Sequence, residues 1–337
     1  MMNERINWID WAKAIAVMTV VFCHLPQSQE WFYYRYLQTC TITIFFFISG
    51  YLKKDRGSSK ENWKKYWNSL ILPYMIYNII VYPYWFVRYY LIHGNMPDML
   101  AVLKPIIGAL LFEHESSFAE PLNGPLWYIP AILIMHIIID LCRKTNYLHH
   151  IMIVLCILSF FLYAANKQMG FMHAMTPTGI FRRLPYYYIG YVMGRQKLFN
   201  NISLFRDALG FMSLILLSIL FFYLHLNERR LLSHVILFYP FNLCFLFGFL
   251  YGCKLLSTFK TDIIINLSIG TLLIIGLHFP LIGIYNYLTG LTGYQWYEAL
   301  LTTLFITAIL YPLILLAKHH APLLIGKSTK SWNRQKE

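Results

Sequence analysis

The chain is short of charge. Of its 337 residues only 13% are Asp, Glu, Lys or Arg, about half the share found in soluble domains. Hydrophobic residues make up 58% and aromatics 18%, and the mean hydropathy is +0.50. A chain this long and this apolar cannot hide its surface in one soluble core, so it reads as a polytopic membrane protein. Other absences narrow the chemistry. The six cysteines (Cys23, Cys40, Cys142, Cys156, Cys244, Cys253) are scattered through apolar segments without a CxxC pair. That argues against a zinc ribbon or a dithiol centre and for small buried hydrophobes. No Walker, dinucleotide-binding or HExxH pattern occurs. His149-His150 and His319-His320 are adjacent pairs, not the i,i+4 pairs that ligate metal from one helix face, so no metal is expected. No internal repeat is visible, which removes one mark of many transporters. No small-x-small cleavage site follows the first apolar block, which therefore reads as a retained signal anchor.

What is present is a series of apolar stretches. The pattern predicts an all-α polytopic protein of about ten transmembrane helices, over 8–25, 37–53, 70–92, 126–142, 150–166, 180–196, 207–226, 233–255, 263–287 and 297–317. Residues 1–320 read as one transmembrane domain and 321–337 as a basic tail. The formal charge of +13 belongs with this topology rather than with nucleic acid, because Lys and Arg collect in cytoplasmic loops. With both termini cytoplasmic, 19 of the 28 Lys and Arg fall inside and eight outside, with Lys13 inside the first span. Two connections stand out. KKDRGSSKENWKK, 53–65, is a basic cytoplasmic loop suited to anionic lipid or to a polyanionic ligand. The outer segment 93–125 is long enough for a lid or a reentrant connector, and carries Glu113, Glu115 and Glu120 before the turn Pro121-Leu122-Asn123-Gly124-Pro125.

Ionisable groups within spans cost roughly 2.5–3.5 kcal/mol each on insertion scales, so each needs a partner or a task. They are Asp10, Lys13, His24, Arg88, His136, Asp140, Arg182, Arg183 and His278. The first span is the most telling. Lys13 and His24 lie about 20° apart around its axis, with Asp10 within about 60° of both. A stripe of this kind is expected to face protein rather than lipid. His24 has the side chain best matched to proton transfer near neutral pH, with an interfacial histidine as the plain alternative. Asp10 and Lys13, three residues apart, could neutralise each other. Ser49-Gly50 permits close backbone approach by a helix or a ligand. His278 precedes Pro280, which frees a carbonyl and bends its helix. His136 and Asp140 are spaced to bond each other.

These residues resemble the opening of a known family. R-x-x-W-I-D-W-A-K-A-x-A from Arg5, V-x-x-x-H at Val20–His24 and FFFISGYL at 45–52 are similar to the integral-membrane acyltransferase-3 family, nearest its polysaccharide and fucose O-acetyltransferase branch. Leu70-Ile71-Leu72-Pro73-Tyr74, GPLWYIPAIL at 124–133, LPYYYIGYVMGR at 184–195 and LHFPLI at 277–282 continue the likeness in order. The chain departs from the pattern in places. Thr41-Ile42-Thr43 stand where His-Met-Pro is common, and another branch's Arg-x-x-Arg would fall on Trp67 and Leu70.

The resemblance implies transfer of an acyl group, most often acetyl, to a sugar hydroxyl of a surface glycan or its lipid-linked precursor in the bacterial inner membrane. It implies no bound cofactor. Acetyl-CoA or another acyl-CoA enters as co-substrate, the partners are the saccharide acceptor and membrane lipid, and no oligomeric state follows. His24 would be general base or acyl carrier, with Asp10 beside it among the catalytic residues. Lys13, Lys64, Lys65 and Ser49 would serve the donor, and Asn123, Trp127, Tyr128 and His278 the acceptor pocket. A transporter or flippase for a lipid-linked or anionic substrate is the runner-up. It would need polar groups along several spans, whereas here they gather near span ends.

Overall fold

The computed structural model describes residues 5–54, 59–112, 122–170, 175–196, 199 and 203–327. Glu113, Glu115, Glu120, Pro121, the middle of the basic loop and the end of the tail lie outside the described residues. Among the described residues every regular element is helical: α1 (Asn7–His24), α2 (Phe32–Tyr51), α3 (Ser59–Tyr66), α4 (Leu72–His93), α5 (Met99–Leu110), α6 (Tyr128–Cys142), α7 (Leu148–Met169), α8 (Met175–Arg195), α9 (Leu204–Asn227), α10 (Leu231–Leu256), α11 (Asp262–Ile269), α12 (Thr271–Thr289) and α13 (Trp296–His320). Seven helical segments of the described residues are long and apolar enough to cross a membrane: Ser59–His93, Gly124–Cys142, Leu148–Met169, Leu204–Asn227, Leu231–Leu256, Thr271–Thr289 and Trp296–His320. The protein is thus a multi-pass membrane protein.

The expected spans over α1, α2 and α8 do not pass that test, and burial explains why. α1 buries ten of its 18 residues and α2 12 of 20, while α9 buries four of 24. A helix walled in by protein has less need of lipid-like side chains, so it can carry Asp10, His24 or Arg183 at lower cost. α1, α2 and α8 are less apolar than the lipid-facing α9. α1 packs against α2, α10, α11, α12 and α13.

Three expectations need correction. The basic loop 53–65 is helical from Ser59, and α3 runs through a π-helical turn, Trp67–Ile71, into α4. The long connector 93–125 contains α5, capped by Asp98 accepting from Ala101 N–H at 2.7 Å. The span 263–287 is broken at Gly270 into α11 and α12.

α2 and α8 run parallel in close backbone contact. A Cβ on Gly50 would lie 2.0 Å from the Tyr187 carbonyl oxygen, and one on Gly190 or Gly194 would lie 2.1 Å from the carbonyl oxygens of Phe47 or Tyr51. This is the small-residue packing that membrane helices use where no hydrophobic force separates protein from lipid. Elsewhere a buried ion pair joins α9 to α10, with Lys254 Nζ 3.2 Å from Asp207 Oδ1. Substituting Gly50 or Gly190 by Ala is expected to force these backbones apart and cost at least about 1–3 kcal/mol. Gly293→Ala, which meets open space, is expected to be silent. Thermal unfolding in detergent compares the three.

Candidate active site

The polar stripe of α1 meets protein at both ends. At its start the Arg5 guanidinium donates to both Asp10 oxygens at 2.5 and 2.9 Å, and Ser268 Oγ donates to Asp10 Oδ1 at 2.6 Å. Arg5 also reaches the Ile265 carbonyl at 3.2 Å. Asp10 therefore ties α1 to α11. Fourteen residues separate it from His24, or about 21 Å at the helical rise, so the structure does not bring these two together. Lys13 is half-buried and lies within electrostatic reach of Asp10, Arg5 and Lys327. Lys327 follows a short 3-10 turn, Pro322–Ile325, whose next residue, Gly326, abuts the Ser69 carbonyl. Burial, then Arg5 and Lys318, hold the Lys327 ammonium below its ordinary pKa. Ser69 Oγ in turn donates to the Lys65 carbonyl at 2.8 Å, with Lys64 exposed beside it. This end of the molecule thus gathers Lys13, Lys318, Lys327 and Arg5 near the buried carboxylate of Asp10, including tail residues that the sequence did not single out.

At the other end of α1, His24 packs its ring edge-to-face on His278 of α12, centroids 4.8 Å apart. Each ring folds back on its own helix. His24 Nδ1 lies 2.7 Å from the Val20 carbonyl oxygen, and His278 Nδ1 2.7 Å from that of Ile274. A carbonyl only accepts, so in both rings Nδ1 carries the hydrogen and Nε2 holds a bare lone pair. His278 is 0% exposed, and its Nε2 has no partner among the described residues.

Asn123 explains how α12 is held. Pro280 has no N–H, so the carbonyl four residues earlier, that of Gly276, lacks its helical donor. Asn123 Nδ2 supplies one at 2.7 Å. Gly276 itself lies flat against the Tyr77 ring, 2.4 Å from where a Cβ would sit. Asn123 is 0% exposed, and its buried Oδ1 has no partner among the described residues. The next residues form a 3-10 turn, Gly124–Trp127, that leads into α6. There Tyr128 hydroxyl meets Ser49 Oγ at 3.2 Å, and Trp127 faces the Arg183 guanidinium at 5.8 Å. The structure thus brings His278 to His24 and ties Asn123 to the His278 helix, while Ser49 pairs with Tyr128 rather than with the lysine cluster. His136 and Asp140 do not bond each other. His136 Nδ1 meets Tyr187 hydroxyl at 2.6 Å, whereas Asp140 takes Lys53 at 2.6 Å and Tyr66 hydroxyl at 2.5 Å. The i,i+4 spacing permitted their bond, but stronger partners on other helices took both groups.

Residues 6–317 match the acyltransferase domain of the acyltransferase-3 family. The chain belongs to that family. No curated protein and no solved structure gives a match. In this acyltransferase the matched region holds both ends of α1, the His24–His278 contact and the Asn123 anchor. Asn123→Ala leaves a buried carbonyl without a donor, and is expected to cost about 1–3 kcal/mol. Thermal unfolding would show that loss, and Asn123→Asp, which keeps the shape but not the donor, should not restore it.

Proposed function

We propose that the protein is a membrane O-acetyltransferase that moves an acetyl group from acetyl-CoA to a sugar hydroxyl of a surface glycan or its lipid-linked precursor, with His24 as general base. The observation that carries this is the fixed tautomer of His24. Its Nδ1–H is spent on the Val20 carbonyl, which leaves Nε2 free to take a hydroxyl proton. In the proposed step that proton moves to Nε2 as the acceptor oxygen attacks the thioester carbonyl. The carbon–sulfur bond then breaks, and the departing thiolate of CoA takes the proton back. His278, with its own bare Nε2, lies within the same contact and orients His24.

The lysine-rich end suits the phosphates of CoA. With the charge asymmetry of the loops, this argues that the Asp10 end is cytoplasmic and the His24 end faces outward across about ten spans of a bacterial inner membrane. The pantetheine arm would then follow α1 toward His24. An apolar groove of about 670 Å³ between α1, α2 and α13, lined by Ile15, Phe22, Tyr33, Leu37 and Trp296 among others, suits the hydrocarbon of a lipid-linked acceptor.

His24→Ala is expected to lower kcat about 10²–10⁴-fold while CoA binding persists, measured as CoA release with acetyl-CoA and a glycan acceptor in detergent. Full glycan O-acetylation by His24→Ala in cells would end the assignment. A second expectation concerns Lys327. Its ammonium must be charged to hold phosphate, and its pKa lies below the ordinary lysine value. The KM for acetyl-CoA should therefore rise as pH is raised above neutral. Lys327→Arg, which stays charged, should flatten that rise, and a profile identical to wild type would remove Lys327 from the donor site.

A further inference from the structure

Arg183 is the buried charge that neither the fold nor the proposed reaction uses. It is 7% exposed, and its buried Nε has no hydrogen-bond partner among the described residues. Its guanidinium faces two aromatic rings, Trp127 at 5.8 Å and Phe46 at 6.0 Å. Arg182 beside it is half-buried against the Tyr163 ring at 4.8 Å, and its Nε is likewise buried and unpartnered. The well-buried carboxylates that the structure describes are already taken. Asp10 has Arg5, Asp140 has Lys53, and Asp207 has Lys254. Two adjacent cations in a membrane interior, with no counter-ion among the described residues, are placed to take one from a ligand. Aromatic walls soften the cost by cation–π attraction but bring no negative charge.

Their position ties them to the candidate active site. Trp8 of α1 meets Tyr51 of α2 edge-to-face, and Gly194 of α8 abuts the Tyr51 carbonyl. Counted from that common level, His24 stands about 24 Å along α1 and Arg183 about 16 Å along α8. The two thus differ by about 8 Å in depth along the bundle. Cys40 lies within electrostatic reach of both Arg183 and Cys23, the neighbour of His24. Trp127 closes the same 3-10 turn that Asn123 opens beside α12. The lysine-rich end, by contrast, lies a helix length away.

We propose that Arg183, supported by Arg182, binds the negative charge of an anionic acceptor, a carboxylate or a phosphate borne close to the hydroxyl that is acylated. This rests on the acetyltransferase reading and adds the acceptor's charge to it. A planar guanidinium with free N–H groups takes either oxyanion through two parallel bonds. Trp127, packed against Gly179 and facing the guanidinium, forms an aromatic wall at the same place.

Binding to the detergent-purified protein tests the idea without requiring turnover. The probes are a galacturonic acid trisaccharide against a neutral galactose trisaccharide, geranylgeranyl diphosphate against geranylgeraniol, and coenzyme A. The wild-type protein should bind one of the two anions at least tenfold more tightly than its neutral counterpart, and which anion it prefers tells carboxylate from phosphate. Arg183→Met should abolish that preference while coenzyme A binding stays unchanged. Arg183→Lys, which keeps the charge but not the fork, should retain part of it and guards against a methionine variant that does not fold. Absence of any anion preference in the wild type would overturn the proposal, as would equal preference in wild type and Arg183→Met. Loss of coenzyme A binding in Arg183→Met would also overturn it, by assigning the arginine to the donor. Failure of the acetyltransferase reading would appear separately, as no CoA release with any acceptor.

Discussion

The carbonyl of Gly276 has no helical donor because Pro280 stands four residues on, and much of the candidate site follows from how that vacancy is filled. Within hydrocarbon no water can fill it. Asn123 does so from 153 residues away in the chain. One bond therefore fixes two things. It holds α12 so that His278 meets His24, and it holds the start of the 3-10 turn that aims Trp127 and Tyr128. Tyr77, lying flat on the hydrogen of Gly276, closes the remaining side. A kinked helix is often described as pliable. Here the kink is a joint with a fitted partner, and rigidity at that joint is what a proton-transfer site needs.

The same constraint orders the rest of the bundle. Each buried carboxylate has a partner on another part of the bundle: Asp10 with Ser268, besides Arg5 just ahead of its own helix, Asp140 with Lys53 and Tyr66, and Asp207 with Lys254. These ties join α1 to α11, α6 to the end of α2, and α9 to α10. They act as registers between helices whose apolar faces would otherwise slide with little preference, since lipid tails and leucine are nearly equivalent surroundings. The glycines of α2 and α8 do the complementary work. They let backbones touch.

What could be read in the sequence was whatever one helix reveals by itself. The polar stripe of α1 was legible because its residues share an axis, and its inward orientation followed from the cost of turning it to lipid. The membrane class followed from composition, and the family from motifs in order. Pairings between helices were not legible. The spacing of His136 and Asp140 fitted a bond that Tyr187 and Lys53 outcompeted. Asn123 looked like a pocket residue in a proline-rich turn, and nothing local shows that its amide reaches Gly276. The break at Gly270 was hidden because hydropathy continues across it, and α5 because its 12 residues are too few to register as a span. The doublet Arg182-Arg183 in an apolar stretch was visible, but that no carboxylate among the described residues pairs with it is a fact of packing alone.

The proposed base differs in one respect from the histidines of hydrolase triads. Those hold a carboxylate against Nδ1, which stabilises the imidazolium that forms. His24 has a neutral carbonyl there instead, and its nearest ring neighbour is another imidazole. An imidazolium at His24 would gain only a carbonyl dipole, in surroundings that offer little solvation, so it would be a poor resting species. Such a base works best when the proton does not rest on it, passing from the acceptor oxygen toward the departing sulfur as the thioester carbon changes partners. Transfer to a thiolate makes this feasible, because a thiol is acidic enough to leave readily yet basic enough to take the proton back. A carbonyl in place of a carboxylate therefore fits direct transfer from thioester to hydroxyl better than a mechanism that stores charge on the enzyme.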